Sequence, residues 1–243
     1  MKKLLTLILL LALFLAGMAA SQFFIVNKTD GSQLYFAISE VDSISFYDPQ
    51  EHDYVDLGLP SGTMWATCNL GADSPEEDGD YFAWGETTPK SNYNWSNYKY
   101  GSAANQLTKY CNKSSYGLNG FTDGKTVLDA SDDAARVNLG ENWRMPTLEE
   151  MNELWSNCTH VRTTINGKVG CLFTGPNGNT LFFPGAGQGL RATDSDPIGV
   201  YWTNSLYSSN ASQGACFGFN WTLTLNPAEG RCNGRSIRPV VNR

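Results

Sequence analysis

Pro146-Thr147-Leu148-Glu149-Glu150-Met151-Asn152-Glu153-Leu154-Trp155-Ser156 is the stretch that decides the fold class. Thr147 with Glu150 three residues on is a capping box, and Pro146 suits the entry to a helix. Leu148, Met151, Leu154 and Trp155 recur at i, i+3, i+6 and i+7, which predicts a helix to about Ser156 with one apolar face. The period changes immediately afterwards. Val161 to Ile165, a turn at Asn166-Gly167, Val169 to Thr174, a turn at Pro176-Asn177-Gly178 and Thr180 to Phe183 read as strands. Upstream, Ser131 is a candidate cap for a shorter helix from Asp132 to about Asn138, ended by Gly140. Tyr54 to Ala66 reads strand, turn, strand. Gly199 to Thr203, Ala215 to Leu225 and Ser236 to Val241 add strands at the far end, with a turn across Asn226 to Gly230. Two short helices with antiparallel strands predict an α+β domain. Residues 71–123 are rich in glycine, asparagine and aromatics and lack periodicity, so they predict long irregular structure ordered by Trp84, Trp95 and tyrosines.

The start of the chain has another character. Lys2 and Lys3 precede an apolar run from Leu4 to Leu15, and Ala16, Gly17, Ala19, Ala20 and Ser21 follow. That order reads as a secretory signal peptide over residues 1–21. An uncleaved anchor is the alternative, but the apolar run is shorter than the ~20 residues a membrane span prefers. No later stretch is apolar enough to span, so no membrane span is expected after cleavage. Residues 22–50 read as a small β unit: Phe23 to Val26, a turn at Thr29-Asp30-Gly31, Leu34 to Ile38 and Ile44 to Phe46, closed by Asp48-Pro49. Residues 51–243 form the main domain. The expected location is outside the inner membrane: periplasmic, at the cell surface or secreted.

The 243 residues carry a formal charge of −7, and only 17% of them are charged. No Lys/Arg cluster offers the basic footprint a phosphate backbone needs, so nucleic acid is not an expected partner. Six cysteines, Cys68, Cys111, Cys158, Cys171, Cys216 and Cys232, are disulfide candidates in an exported chain. A hairpin turning at Asn166-Gly167 puts Cys171 opposite Arg162, not Cys158. A turn across Asn226 to Gly230 puts Cys232 near Thr224, not Cys216. The pairing therefore stays open. With no C-x2-C spacing and only His52 and His160, zinc is not expected. Asp73, Glu76, Glu77, Asp78 and Asp80 suggest either a calcium loop or a solvated acidic turn. Asp194-Ser195-Asp196 fails the EF-hand pattern. No cofactor is expected, and calcium is the one metal the carboxylates leave open.

Asp132 and Asp133 with Arg144 read as a structural ion pair, with aspartates at a helix start and a bidentate arginine, and Arg238 is read the same way. From Tyr201 to Gly234 the only charged residues are Glu229 and Arg231. The uncharged aromatic, amide and hydroxyl side chains there suit recognition. Asn204, Tyr207, Ser208, Asn210, Asn220, Trp221 and Asn233 are the candidate ligand-binding residues, while Trp202 is expected in the core; alternation over 215–223 puts Phe217, Phe219 and Trp221 on one face, which leaves a core reading open for those aromatics. Asn-x-Ser/Thr sequons at Asn27, Asn94, Asn112, Asn157, Asn210 and Asn220 read as the mark of an asparagine-rich chain.

Six ordered blocks carry a family resemblance. They are Trp65-Ala66-Thr67-Cys68-Asn69-Leu70-Gly71-Ala72, Tyr81-Phe82-Ala83-Trp84-Gly85-Glu86-Thr87, Asp132-Asp133-Ala134-Ala135, Trp143-Arg144-Met145-Pro146-Thr147, Gly199-Val200-Tyr201-Trp202-Thr203 and Arg235-Ser236-Ile237-Arg238-Pro239-Val240. Over roughly residues 54–241 the chain resembles the Fibrobacter major paralogous domain of exported Bacteroidetes proteins. The resemblance implies a variant of the C-type lectin-like fold with a ligand surface just before the terminal Arg-Pro-Val strand. It does not imply a function, because that fold hosts unrelated activities. The expectation is a non-catalytic module that binds a protein or a glycan. The alternatives are a structural component of a surface or fimbria-like assembly, docked through residues 22–50, and an oxidase like the formylglycine-generating enzymes. The last needs a redox-active cysteine pair and an arginine- and glycine-rich signature that is missing here.

Overall fold

The structure is a computed structural model and describes residues 23–27, 31–38, 53–186, 199–219 and 226–241. The chain divides into two compact units, Met1–Asp48 and Pro49–Arg243. In the first, β1 (Phe23–Asn27) and β2 (Gln33–Ala37) form an antiparallel hairpin with Ile25 opposite Tyr35. The expected strand Ile44 to Phe46 lies outside the described residues.

The second unit is α+β with antiparallel strand pairs throughout its three sheets. One sheet runs β3 (Tyr54–Asp56), β4 (Met64–Ala66), β12 (Val240–Val241) and β5 (Trp143–Arg144) in that spatial order. Its last strand in sequence is thus inserted between β4 and β5, and Val240 lies between Trp65 and Arg144. A second sheet is the meander β6 (Thr159–Ile165), β7 (Lys168–Thr174) and β8 (Thr180–Pro184). Asn166 and Gly167 both take positive φ at its first turn, the geometry an Asn-Gly hairpin favours, and Cys171 sits opposite Arg162. The third sheet places β10 (Gln213–Phe219) between β9 (Gly199–Leu206) and β11 (Asn226–Gly230).

Two expectations change here. Asn226 to Gly230 is a strand paired with β10 rather than a turn, because Ala215 meets Ala228 across the ladder. The long strand expected to Leu225 is described only to Phe219; 220–225 lie outside the described residues. The central position of β10 explains its composition. Ala215, Cys216, Phe217, Gly218 and Phe219 are all buried, so both of its faces pack inward. A Cβ on Gly214 would meet Trp84 at 2.6 Å, so glycine is what lets this strand approach the indole.

Helix α2 (Leu148–Asn157) carries the expected reciprocal capping box between Thr147 and Glu150 and buries Met151 and Leu154. Helix α1 (Ala134–Leu139) is shorter than expected. Its cap is Asp133, not Ser131, and Ala130–Asp132 form a 3-10 turn before it. The irregular region is held by an aromatic core. Trp84, Tyr98, Tyr100 and Tyr110 meet edge to face, and Trp84 Nε1 donates to the Thr203 carbonyl. Trp202 is buried beside them and donates to the Phe82 carbonyl, so the expectation that it belongs to the core holds.

Candidate functional site

The turn joining β9 to β10 gathers three of the candidate ligand-binding residues. Its backbone closes through Asn210 N to the Tyr207 carbonyl, Gln213 N to the Asn210 carbonyl and Tyr207 N to the Gln213 carbonyl. Asn210 Oδ1 accepts from Ser212 N and Oγ at 3.0 and 2.7 Å, which fixes the far side of the turn. A second loop braces the tip. Asn112 Nδ2 donates to the Ser208 carbonyl at 3.2 Å, and Lys113 Nζ donates to the Ser209 carbonyl at 2.7 Å. That loop is itself ordered by Asp123, whose carboxylate accepts from Tyr110 N, Cys111 N and Lys125 N. Ser208 and Ser209 are exposed, and Tyr207 and Asn210 are half-buried. Among the described residues the hydroxyls of Tyr207, Ser208 and Ser209 make no hydrogen bond. The backbone is committed while Ser208 and Ser209 stay exposed and Tyr207 half-exposed, as a preorganised contact surface requires.

The other candidates go elsewhere. Asn204 is packed inward: its N–H donates to the Pro146 carbonyl, its carbonyl accepts from Leu128 N, and its Oδ1 accepts from Ser205 Oγ. Asn233 is half-buried just past the end of β11 that pairs with Gln213, and its Nδ2 is spent on Glu229. Asn220 and Trp221 lie outside the described residues. Asn112 and Lys113 were missed as site residues. The sequon at Asn112 was their only signal in the sequence, and only the fold brings them under a turn nearly a hundred residues later.

The expected ion pairs are repartnered. Arg144 makes its bidentate pair with Glu150, at 2.7 and 2.5 Å, and not with Asp132 or Asp133. Asp133 caps α1 and accepts from Met145 N. Burial raises its carboxyl, and the backbone donors oppose this. Asp132 is buried among Lys99, Lys109 and the Tyr110 hydroxyl, at 3.3, 2.6 and 2.6 Å. Burial alone would raise its pKa; hydrogen bonds from Lys109, Tyr100 and Tyr110 outweigh it and hold the carboxyl at about 2. Arg238 has no carboxylate partner among the described residues. It is fully buried over the Phe183 ring and donates to Asn69 Oδ1 and to the carbonyls of Ala66, Thr67 and Phe182. Burial draws its pKa down to about 10, which leaves it charged at neutral pH. Arg231 is also fully buried, against Trp84 and Tyr98, with carbonyls of Lys109, Tyr110 and Ala211 as acceptors.

The acidic loop is tied up by neighbours. Glu76 accepts from Asn166, Glu77 from Asp73 N, and Asp78 pairs with Lys168. Among the described residues no three His, Cys, Asp or Glu side chains converge on a metal position. Asp194 and Asp196 lie outside them. All six cysteines are buried thiols. Burial pushes Cys158 up to about 11 and Cys171 and Cys216 up to about 12, far from a reactive thiolate. Among the described residues no helix is long and apolar enough to cross a membrane. No family model, curated protein or solved structure matches the chain.

Proposed function

We propose that the protein is an exported, non-catalytic binding module that recognises a glycan or protein ligand through the turn between β9 and β10. One observation carries this reading: Tyr207, Ser208 and Ser209 sit on a turn whose backbone is clamped by Asn112 and Lys113, with their hydroxyls left uncommitted. Rigid aromatic and short hydroxyl side chains give contact area and hydrogen bonds at low conformational cost. Export is supported by the charged, apolar and small-residue order of residues 1–21. A C-type lectin-like frame is the fold proposed. Pairing of β4 with β12, two short helices and small antiparallel sheets agree with it, as does the six-block resemblance. The absence of catalysis is supported by the cysteines, since burial raises the thiols an oxidase of that frame would need.

A second reading, a structural component of a surface assembly, has its own observation. The β1–β2 hairpin exposes the cross-strand pair Ile25 and Tyr35 at 42% and 59%. Two strands alone bury too little to be stable, so such a hairpin gains from added strands. An array of glycans and surface proteins probed with the purified protein separates the two. Binding to an array hit is expected to fall at least tenfold in Tyr207→Ala. An unchanged signal in that variant removes the turn as the recognition face, and loss only on deleting residues 22–50 favours assembly.

A further inference from the structure

The lysines of the second unit are neutralised in pairs, with one exception. Lys90 pairs with Glu86, Lys99 and Lys109 with Asp132, Lys125 with Asp129, and Lys168 with Asp78. Lys113 alone among the described lysines has no carboxylate within pairing distance. Its one partner is the Ser209 carbonyl, which takes a hydrogen bond and leaves the charge uncompensated. In a chain of formal charge −7 that is an unusual place to leave a cation. The residue before it carries a second unmet demand. Asn112 donates one amide hydrogen to the Ser208 carbonyl, and its Oδ1 is a buried acceptor with no donor. A buried acceptor without a donor is costly, and it marks Asn112 as held in place by its bond to the turn rather than by its own solvation.

Taken together, the turn offers one ammonium, two exposed serine hydroxyls and the half-buried Tyr207 ring, on a backbone that Asn112 holds. We propose that this face binds a carboxylated glycan of the uronate type. A sugar acid presents one anion for Lys113, several hydroxyls that both donate and accept, and a flat C–H face for the tyrosine. An acidic peptide fits less well. Its side chains bring carboxylates but neither the vicinal hydroxyls that would meet Ser208 and Ser209 nor the flat C–H face for Tyr207. This inference rests on the turn being the recognition face.

The test is calorimetric titration of the purified protein with oligogalacturonate, its fully methyl-esterified form and oligoglutamate. Oligogalacturonate is expected to bind, and the ester at least tenfold more weakly. Affinity should fall as salt rises, because the charge pair is exposed. Lys113→Gln should reduce the affinity for oligogalacturonate to that for the ester. Asn112→Ala should weaken both sugars alike. Equal binding of ester and acid, with sensitivity to Tyr207→Ala, would overturn the anionic ligand and leave the recognition face standing. Equal or tighter binding of oligoglutamate overturns the glycan, and no binding of oligogalacturonate at millimolar concentration overturns the inference altogether.

Discussion

Asp132 holds the loops around α1 together by charge, and its protonation should be visible in stability. The side chain is buried, with Lys99, Lys109 and Tyr110 around it, and its pKa lies at about 2, below the ordinary aspartate value of 3.8. A depressed carboxyl contributes stability above its unfolded pKa and loses that contribution as pH falls through the folded one. The window is therefore about pH 4 down to about pH 2, and the contribution is about 2 kcal/mol. Asp133, raised by burial, works in the opposite sense and gains as pH falls, so it blunts the slope. Asp132→Asn should lower the urea midpoint at pH 7 and flatten the loss of stability between pH 4 and 2. A variant with the wild-type acid slope would show that the carboxylate does not carry it. Tyr110 adds to the order here. It sits at φ 56, a conformation that costs a bulky residue roughly 1–3 kcal/mol. Hydrogen bonds from Arg231 to its carbonyl, and from its own N–H to Asp123, hold it there.

Helix α2 is fixed at its start by a carboxylate with three duties. Glu150 closes the capping box on Thr147 N, takes both Arg144 guanidinium nitrogens, and accepts from Thr63 Oγ1. It thereby ties α2 to β5 and to the residue preceding β4. Burial alone would raise its pKa, but Arg144 and the Thr147 backbone hold it below the usual glutamate value. Arg144→Ala and Glu150→Ala should each lower the melting temperature, with a coupling of about 1–2 kcal/mol in the double-mutant cycle. Glu150→Ala should cost more, since the cap goes with the pair. Additive single effects in that cycle would refute the pairing. The capping box could be read from two residues three apart. The partner of Arg144 could not: Glu150 is also only six positions away, yet the acidic residues just before α1 matched an equally plausible local rule. What decides is that β5 runs past the start of α2, while Asp132 and Asp133 turn towards Lys109 and Met145 N.

At the scale of the whole molecule, the cysteines report how tightly the interior is closed. Cys111, Cys216 and Cys232 belong to one buried cluster and Cys158 and Cys171 to another. With thiols at about 11 to 12, iodoacetamide at pH 8 should leave Cys158, Cys171 and Cys216 unlabelled in the native protein. In guanidinium without reductant, intact mass should then show all six labelled, and each disulfide present would subtract two additions. Rapid native labelling of those three would contradict the burial. The sequence by itself determined the local features: the α+β class, the α2 capping box, the Asn166-Gly167 hairpin with Cys171 opposite Arg162, and the inward Trp202. Each follows from residues within a few positions of one another, where propensity, period and turn chemistry act. The tertiary structure alone decided that β12 lies between β4 and β5, that Asn204 turns inward, that buried Arg238 meets carbonyls, and that Asn112 and Lys113 brace the turn at Ser208 and Ser209. Those contacts join residues tens to more than a hundred positions apart, and no local period records which distant group will satisfy a buried charge or a turn's carbonyls.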